Sequence, residues 1–275
     1  MRMKYLIVNA DDYGRTAAVS GGIRDAHLNG IVTSTTAMMN LPGVVDALGE
    51  ADLLCPDLGL GVHLVLTAGA PLLPPAQVPS LVDAQGKFLA LSEFQTRAAT
   101  IAAMQAHAEW RAQIEKFVDT LGREPDHLDS HHHTSYFTPA LFETMLELAT
   151  EYHCAIRLPW SVDAAPAEDA PTRAVRQLLQ ASAVAHPARL ATSFYDQGAT
   201  RENLREIMQS LNDGITEVMC HPGYVDAELA SSSYNVQRER EVGILTNLDV
   251  KARVKELGIE LVTSRVFRGS LPRAR

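Results

Sequence analysis

Carboxylates and histidines recur at the ends of apolar runs in this sequence. Asp11 and Asp12 follow the run KYLIVNA, His63 lies in GVHL, residues 127–133 read HLDSHHH, and His221 lies in CHPG. If these runs are parallel strands, their carboxyl ends meet on one rim. Two imidazoles and one carboxylate are a common metal-binding set that leaves positions open for water and substrate. The pattern predicts a metal site with a second carboxylate available as a general base.

Each of these residues also has a purely structural interpretation. Asp11 and Asp12 could form a turn or cap a helix, because aspartate favours both positions. A single histidine within an apolar strand, such as His63, is more often a core residue than a ligand, and His221 could belong to a simple strand-ending turn. The three consecutive histidines are harder to explain this way, because buried imidazoles require partners.

Strand geometry separates the residues of HLDSHHH into those on a predicted strand and those in the loop that follows it. If DHLDS forms a strand, His127 and Asp129 share one face, and His131 begins the loop above the end of the strand. His131 is therefore the best-placed imidazole for a metal at the rim. His132 and His133 are expected to orient ligands or to contact a substrate, and Asp129 belongs with this supporting set.

Apolar runs alternate with helical patterns along the whole chain. The predicted strands are KYLIVNA, TSTTAMMN, LGLGVHLVL, DHLDS, CAIRLPW, ARLATSF, ITEVMCH and IELVTS, and the predicted helices lie near 17–29, 43–51, 92–121, 139–151, 201–212 and 238–256. This order is typical of the α/β class. It predicts one domain over residues 1–275 with a β/α-barrel-like (TIM-barrel-like) fold, fully or incompletely closed. An open doubly wound sheet is the alternative. Long irregular segments at 67–89 and 221–237 are candidate substrate loops.

Composition excludes several classes of protein. With 46% hydrophobic and 21% charged residues, the chain has the balance of an ordinary globular protein. Its net charge of −9 and the lack of a basic run beyond PRAR argue against nucleic-acid binding. KYLIVNA is too short for a signal peptide or a membrane span, so we expect a cytoplasmic protein without membrane contact.

The cysteines do not suggest a catalytic or metal-binding role. Cys55, Cys154 and Cys220 are widely separated, which argues against a disulfide framework or a thiolate metal site. Cys220 precedes His221, but neighbours on a strand point to opposite faces, so a nucleophilic pair is not expected. We expect all three to be buried small hydrophobic residues.

Taken together, the motifs resemble those of the YdjC-like carbohydrate deacetylases, which include the chitooligosaccharide deacetylases. The motifs that carry the resemblance are VNADDYG, NGIVTSTTAMMN, LGVHLVLT, REPDHLDSHHH, IRLP and EVMCHPGY, and they span nearly the whole chain. The resemblance implies a barrel-like fold and hydrolysis of the N-acetyl group of an acetylated amino sugar. It also implies a divalent metal, with magnesium expected first and zinc second, and a homodimer.

Individual roles follow from the resemblance by position. It assigns the metal to Asp12, His63 and His131, makes Asp11 the base that activates water, and makes His221 a candidate acid for the departing amine.

The resemblance leaves other residues with open roles. Arg157 could steady Asp11, bind a sugar hydroxyl or form a structural ion pair. Trp160, Tyr224 and Tyr234 lie near predicted rim loops and could stack on a sugar ring.

Two other functions remain open from the sequence. A metal-dependent phosphoesterase or other amidohydrolase would use the same metal set, although phosphate chemistry favours more basic residues than the rim motifs supply. A non-catalytic sugar-binding protein on the same scaffold would be expected to lack a ligand or the base, and none is missing.

Overall fold

A computed structural model describes residues 3–163, 169–230 and 232–268 of the chain. Its strands are β1 (Lys4–Tyr13), β2 (Ser34–Ala37), β3 (Gly59–Leu64), β4 (His127–Ser130), β5 (Ala155–Ile156), β6 (Arg189–Ala191), β7 (Gly214–Cys220) and β8 (Ile259–Leu261). Its α-helices are α1 (Ala17–Leu28), α2 (Val44–Leu54), α3 (Leu91–Arg97), α4 (Ala103–Leu121), α5 (Pro139–Glu151), α6 (Ala170–Ala181), α7 (Arg201–Gln209), α8 (Val236–Leu245) and α9 (Leu248–Glu256).

The strands form one curled parallel sheet in the order β5-β4-β3-β2-β1-β7-β6. The long strand β1 lies at its centre and pairs with β7 along one side. On its other side, β8 pairs with the first residues of β1 and β2 pairs with the last ones. The path ends at β5 and β6 without direct pairing between them, so the sheet is an incompletely closed barrel. This confirms the predicted fold class, and the closure that the sequence left open is incomplete.

The two free edges of the sheet are bridged by loops. The backbone N–H of Ile156 donates to the carbonyl of Ala185, and the N–H of Val162 donates to the carbonyl of Leu190. These bonds satisfy some of the polar groups that an open sheet edge would leave unpaired. They also draw the segment after β5 towards the β6 side of the half-barrel.

Most predicted elements are present, and the differences have local causes. The single helix predicted over 238–256 is divided into α8 and α9, because the side chain of Asn247 caps a new helix by accepting from the N–H of Asp249. Helix α6 was not predicted. Its buried residues are Val175 and Leu179, which lie four positions apart on one face of the helix. The helix predicted over 92–121 is interrupted by a 3₁₀ turn between α3 and α4.

Helix α1 packs closely against the turn that follows β7. A Cβ atom on Gly22 would lie 2.6 Å from the Cα atom of Gly223, whereas a Cβ atom on the preceding Gly21 would have nothing within 4 Å. The backbone contact at Gly22 therefore sets the distance between α1 and the turn containing His221. No helix among the described residues is long and apolar enough to cross a membrane.

The two neighbouring glycines of α1 should respond oppositely to alanine. Gly22→Ala should lower the free energy of unfolding by about 1–3 kcal/mol, because the new methyl group overlaps the backbone of Gly223. Gly21→Ala should raise it by about 0.5–1 kcal/mol, because alanine favours the helix and has space here. Urea denaturation of the two variants measures both changes. Equal effects would contradict this account of the packing.

Candidate functional site

A cavity of about 500 Å³ opens at the carboxyl ends of the strands. The polar residues singled out from the sequence converge on it. Its walls include Asp11, Asp12, His63, His131, His132, His133, Tyr234 and His221. The two candidate substrate loops differ in their contributions. The second supplies Ser232, Ser233 and Tyr234 to the cavity wall, whereas no described residue between 67 and 89 lines the cavity.

A break in strand geometry brings both adjacent aspartates to this cavity. Consecutive side chains on a regular strand point to opposite faces. Here Asp12 has a φ of 72°, and the register between β1 and β2 shifts between Ala10 and Tyr13. Aspartate tolerates this left-handed backbone conformation better than most residues do. The irregularity turns Asp12 to the same side as Asp11, and both carboxylates are buried.

The side chains of Asp12, His63 and His131 form a compact set of metal donors. The distance between His63 Nε2 and Asp12 Oδ1 is 3.4 Å, that between His131 Nδ1 and Asp12 Oδ1 is 3.1 Å, and that between the two nitrogens is 3.2 Å. Ligand atoms that share an ion at bond lengths of roughly 2.0–2.2 Å lie about 3.0–3.5 Å apart. The triangle therefore fits a divalent ion, and Asp12 Oδ1 has no hydrogen-bond partner among the residues that the structure describes.

Asp129 determines which nitrogen of His63 carries a proton. Its Oδ1 atom lies 2.6 Å from His63 Nδ1, so this nitrogen is assigned as the donor. In the neutral ring, the lone pair of Nε2 faces Asp12. Burial alone would lower the pKa of His63, but Asp129, Asp11 and Asp12 raise that pKa to about 9. This cluster of carboxylates attracts a cation. Asp129 is fully buried and reaches the cavity through His63.

Arg157 holds Asp11 in its ionised form. It donates to both carboxylate oxygens of Asp11, at 2.6 and 2.7 Å, and Asn9 Nδ2 adds a third bond at 2.9 Å. Burial raises the pKa of Asp11, but the charge and hydrogen bonds of Arg157 outweigh it and hold that pKa well below its ordinary value. Asp11 is therefore a fixed carboxylate one residue away from a metal donor.

The same guanidinium bonds to two further carboxylates. Its Nε donates to Glu217 at 2.7 Å, and its NH1 nitrogen lies 2.9 Å from Asp129 Oδ2. Arg157 has only 1% of its surface exposed, so its nitrogens face these carboxylates and not the cavity. The sequence left three interpretations of Arg157 open. The geometry corresponds to the first, in which Arg157 steadies Asp11, and places this contact within a buried ion cluster.

His221 lies beside Asp11 in the wall of the same cavity. Its Nε2 is 3.8 Å from Asp11 Oδ2, and its ring packs edge-on against Tyr195 and Tyr234. Burial lowers the pKa of His221 to about 4, although Asp11 and Asp12 act in the opposite direction. The ring is thus neutral near pH 7 and lies within a short distance of Asp11.

Helix α8 contributes two residues that the sequence analysis missed. Arg238 is buried and donates to Asp12 Oδ2, the oxygen not facing the histidines. Glu241 accepts the backbone N–H of His221 at 2.5 Å and the hydroxyl of Tyr234. The α8 sequence VQREREVGIL has charges at successive positions, which is typical of a solvated helix. It carries no local signal for either role.

Of the remaining residues singled out from the sequence, two line the cavity and two do not. His132 and His133 line the cavity with positive φ angles of 54° and 57°, and His132 Nδ1 lies 3.0 Å from the hydroxyl of Thr67. Tyr224 and Trp160 do not line the cavity described here. The hydroxyl of Tyr224 bonds Asp25 on α1, and Trp160 packs partly buried against the core beneath Arg176.

Tyr195 is an aromatic cavity residue that the sequence analysis missed. It stacks on Tyr234 with ring centroids 4.4 Å apart and is 43% exposed. It comes shortly after β6, a strand that was predicted, but no motif in that segment marked it. The cysteines are buried as expected, and the Cys220 thiol donates to the carbonyl of Asn9 and does not line the cavity.

Comparisons with known proteins identify similar sequences and a similar fold. A family model described as YdjC-like protein matches residues 5–256. A carbohydrate deacetylase of Thermoanaerobacter pseudethanolicus is 37% identical over 97% of this chain and 100% of its own length. A chitooligosaccharide deacetylase of Yersinia enterocolitica is 34% identical over 94% and 97%. A structure from Enterococcus faecalis, described as a proposed cellobiose-phosphate cleavage protein, has a TM-score of 0.87 at 36% identity and covers 96% of this chain and 99% of its own.

The buried ion cluster predicts a large stability loss when its cation is removed. Arg157→Met should lower the free energy of unfolding by about 3–5 kcal/mol, because it leaves buried carboxylates without their partner. Arg97→Gln, which removes an exposed ion pair with Glu93 on α3, is the control and should have a small effect. Urea denaturation at neutral pH measures both. Similar losses in the two variants would contradict the central role of Arg157.

Proposed function

The chain belongs to the YdjC-like protein family, and we propose that it is a metal-dependent carbohydrate deacetylase. Its proposed substrates are acetylated amino sugars or short chitooligosaccharides. The observation that carries the proposal is the donor triangle of Asp12, His63 and His131 beside an arginine-held Asp11. The names of the relatives from Thermoanaerobacter and Yersinia support the activity and the substrate class. The family match extends over most of the chain, and we propose that residues 1–275 form one deacetylase domain.

A divalent ion bound by Asp12, His63 and His131 would polarise the acetyl carbonyl and make a bound water more acidic. The chemistry of the donor set bears on which ion we propose. Two imidazole nitrogens and one carboxylate oxygen suit zinc, whereas magnesium prefers oxygen ligands. We therefore place zinc ahead of the magnesium implied by the family resemblance.

The protein's own groups account for the proton transfers. Asp11 is the proposed general base, because it is ionised and held in place by Arg157. Its Oδ2 lies 3.8 Å from His221 Nε2, so the proton that Asp11 takes from water has a short path to the imidazole ring. His221 then donates this proton to the nitrogen of the departing amine. Tyr195, exposed in the cavity wall, provides a surface for a sugar ring.

The residues around the metal site have separable roles in this proposal. Asp12→Asn and His63→Ala should lose bound metal, because each removes a donor of the triangle. Asp11→Asn should retain the metal but lose about 10²–10⁴-fold in kcat for acetate release, because the base is gone. Elemental analysis of the purified variants and an acetate assay on N-acetylated chitobiose measure the two properties. Normal acetate release by Asp11→Asn would refute its role as the base.

A phosphoesterase is the second candidate, favoured by the description of the Enterococcus structure. Arg157 and Arg238 are both buried in ion pairs with carboxylates. Of the two arginines among the described cavity residues, Arg15 is more exposed than Arg238. A phosphate group would therefore meet few free cations here. We expect wild-type protein to release acetate from N-acetylated chitobiose and no phosphate from phosphorylated disaccharides. Release of phosphate without acetate would reverse this choice.

The homodimer and the cytoplasmic location stay predictions. The homodimer rests on the family resemblance alone.

A further inference from the structure

The imidazole ring of His221 lacks the usual support for a catalytic histidine. Such rings are commonly oriented by a hydrogen bond from the second ring nitrogen to a carboxylate or a carbonyl. His221 Nδ1 is buried and has no hydrogen-bond partner among the described residues. The ring must therefore be held by other contacts, and these converge on the segment between the end of β7 and α8.

Glu241 holds the backbone of His221 from α8. The carboxylate is fully buried, and its Oε2 accepts the N–H of His221 at 2.5 Å. Its Oε1 accepts the hydroxyl of Tyr234. Hydrogen bonds to a carboxylate are shorter and stronger than those between neutral groups. One side chain thus links the backbone of His221 to the Tyr234 ring that packs against it.

Two tyrosine rings hold the imidazole from the side. The centroid of Tyr195 is 5.2 Å from that of His221, and the centroid of Tyr234 is 5.7 Å from it, both in edge-on arrangements. The two tyrosines are stacked nearly parallel, with 6° between their planes. Tyr234 is fixed further by the N–H of Asp196, which donates to its hydroxyl at 3.1 Å. Two hydrogen bonds therefore hold the Tyr234 hydroxyl, while the Tyr234 ring packs against the imidazole.

We propose that Glu241 and Tyr234 are positioning residues that hold His221 towards Asp11 and the departing amine. Glu241 anchors the backbone of His221, and Tyr234 transmits this anchoring to the ring. Neither residue belongs to the metal donor triangle. The inference rests on the proposed function in one respect, namely that His221 protonates the leaving group.

Comparing an amide with an ester substrate distinguishes the loss of His221 positioning from a general loss of site structure. An amine departs from an amide only when its nitrogen is protonated, whereas 4-nitrophenolate departs from an acetyl ester without a proton. Tyr234→Phe removes the hydroxyl bonded to Glu241 and keeps the ring. It should lower kcat for acetate release from N-acetylated chitobiose about tenfold, part of the usual acid contribution, with KM unchanged. Its kcat for 4-nitrophenyl acetate should stay within about twofold of wild type, because that step needs no acid.

Glu241→Gln should repeat this pattern, since an amide cannot accept both bonds. Glu239→Gln is the matched control. Glu239 lies on the same helix and also accepts a backbone N–H of the same segment, that of Val225 at 3.1 Å, but it is exposed. Its variant should behave as wild type on both substrates. Zn²⁺ binding to metal-free protein, measured by calorimetry, should be unchanged in all three variants.

A double variant tests whether Tyr234 acts through His221. Tyr234→Phe should have no further effect on acetate release in a His221→Ala background, because the residue it positions is absent. Additive losses would overturn the inference. Equal losses on amide and ester in Tyr234→Phe would overturn it as well, because they indicate general damage to the site.

A structural measurement decides the inference even if wild-type protein turns over neither substrate, a result that would refute the proposed function alone. In ¹H–¹⁵N spectra, the His221 amide proton should move upfield in Glu241→Gln and stay in place in Glu239→Gln, because only Glu241 accepts its hydrogen bond. The ring resonances of His221 should shift in Tyr234→Phe. Unchanged His221 resonances in Glu241→Gln and Tyr234→Phe would show that these residues do not position it.

Discussion

The bidentate ion pair between Arg157 and Asp11 is the interaction on which the rest of this site depends. Arg157 follows β5, at one free edge of the half-barrel, and Asp11 lies on the central strand β1. The same guanidinium bonds Asp129 on β4 and Glu217 on β7. One buried cation thus connects strands from both sides of an incompletely closed sheet. Buried carboxylates are costly without partners, so the position of Arg157 determines where they can lie.

The charges of the site follow from this arrangement. Among the described residues, Arg157 and Arg238 face the carboxylates of Asp11, Asp12, Asp129 and Glu217. Burial raises the pKa of Glu217 to about 6, despite Arg157, so this group is mostly ionised at neutral pH. The two buried guanidinium groups match two of these four charges, and the other cations of the cluster are Arg15, 3.9 Å from Asp12, and His63, whose pKa of about 9 keeps its ring protonated near neutral pH. A divalent ion at the donor triangle would take the place of the proton on His63.

Much of the site could be predicted because its residues end predicted strands. Asp11, Asp12, His63, His131 and His221 all lie at the carboxyl ends of strands in a parallel sheet, and such ends converge. The other contributors carry no such signal. Arg238 is 226 residues away from Asp12 in the chain, and its helix resembles a solvated one. Tyr195 follows a short strand without a motif. Their roles depend on contacts between distant segments, which local patterns do not encode.

Residue type and spacing by themselves determined the chemistry available to this protein: paired carboxylates, clustered imidazoles and the parallel strands that present them. Only the tertiary structure decided how the adjacent aspartates are used. A regular strand would have placed Asp11 and Asp12 on opposite faces, but the left-handed backbone at Asp12 and the register shift beside it bring both to one cavity. The two aspartates then have different surroundings, because Arg157 binds Asp11 while His63 and His131 lie beside Asp12. These partners come from β3, from the turn after β4 and from the segment after β5, so only the folded sheet brings them together.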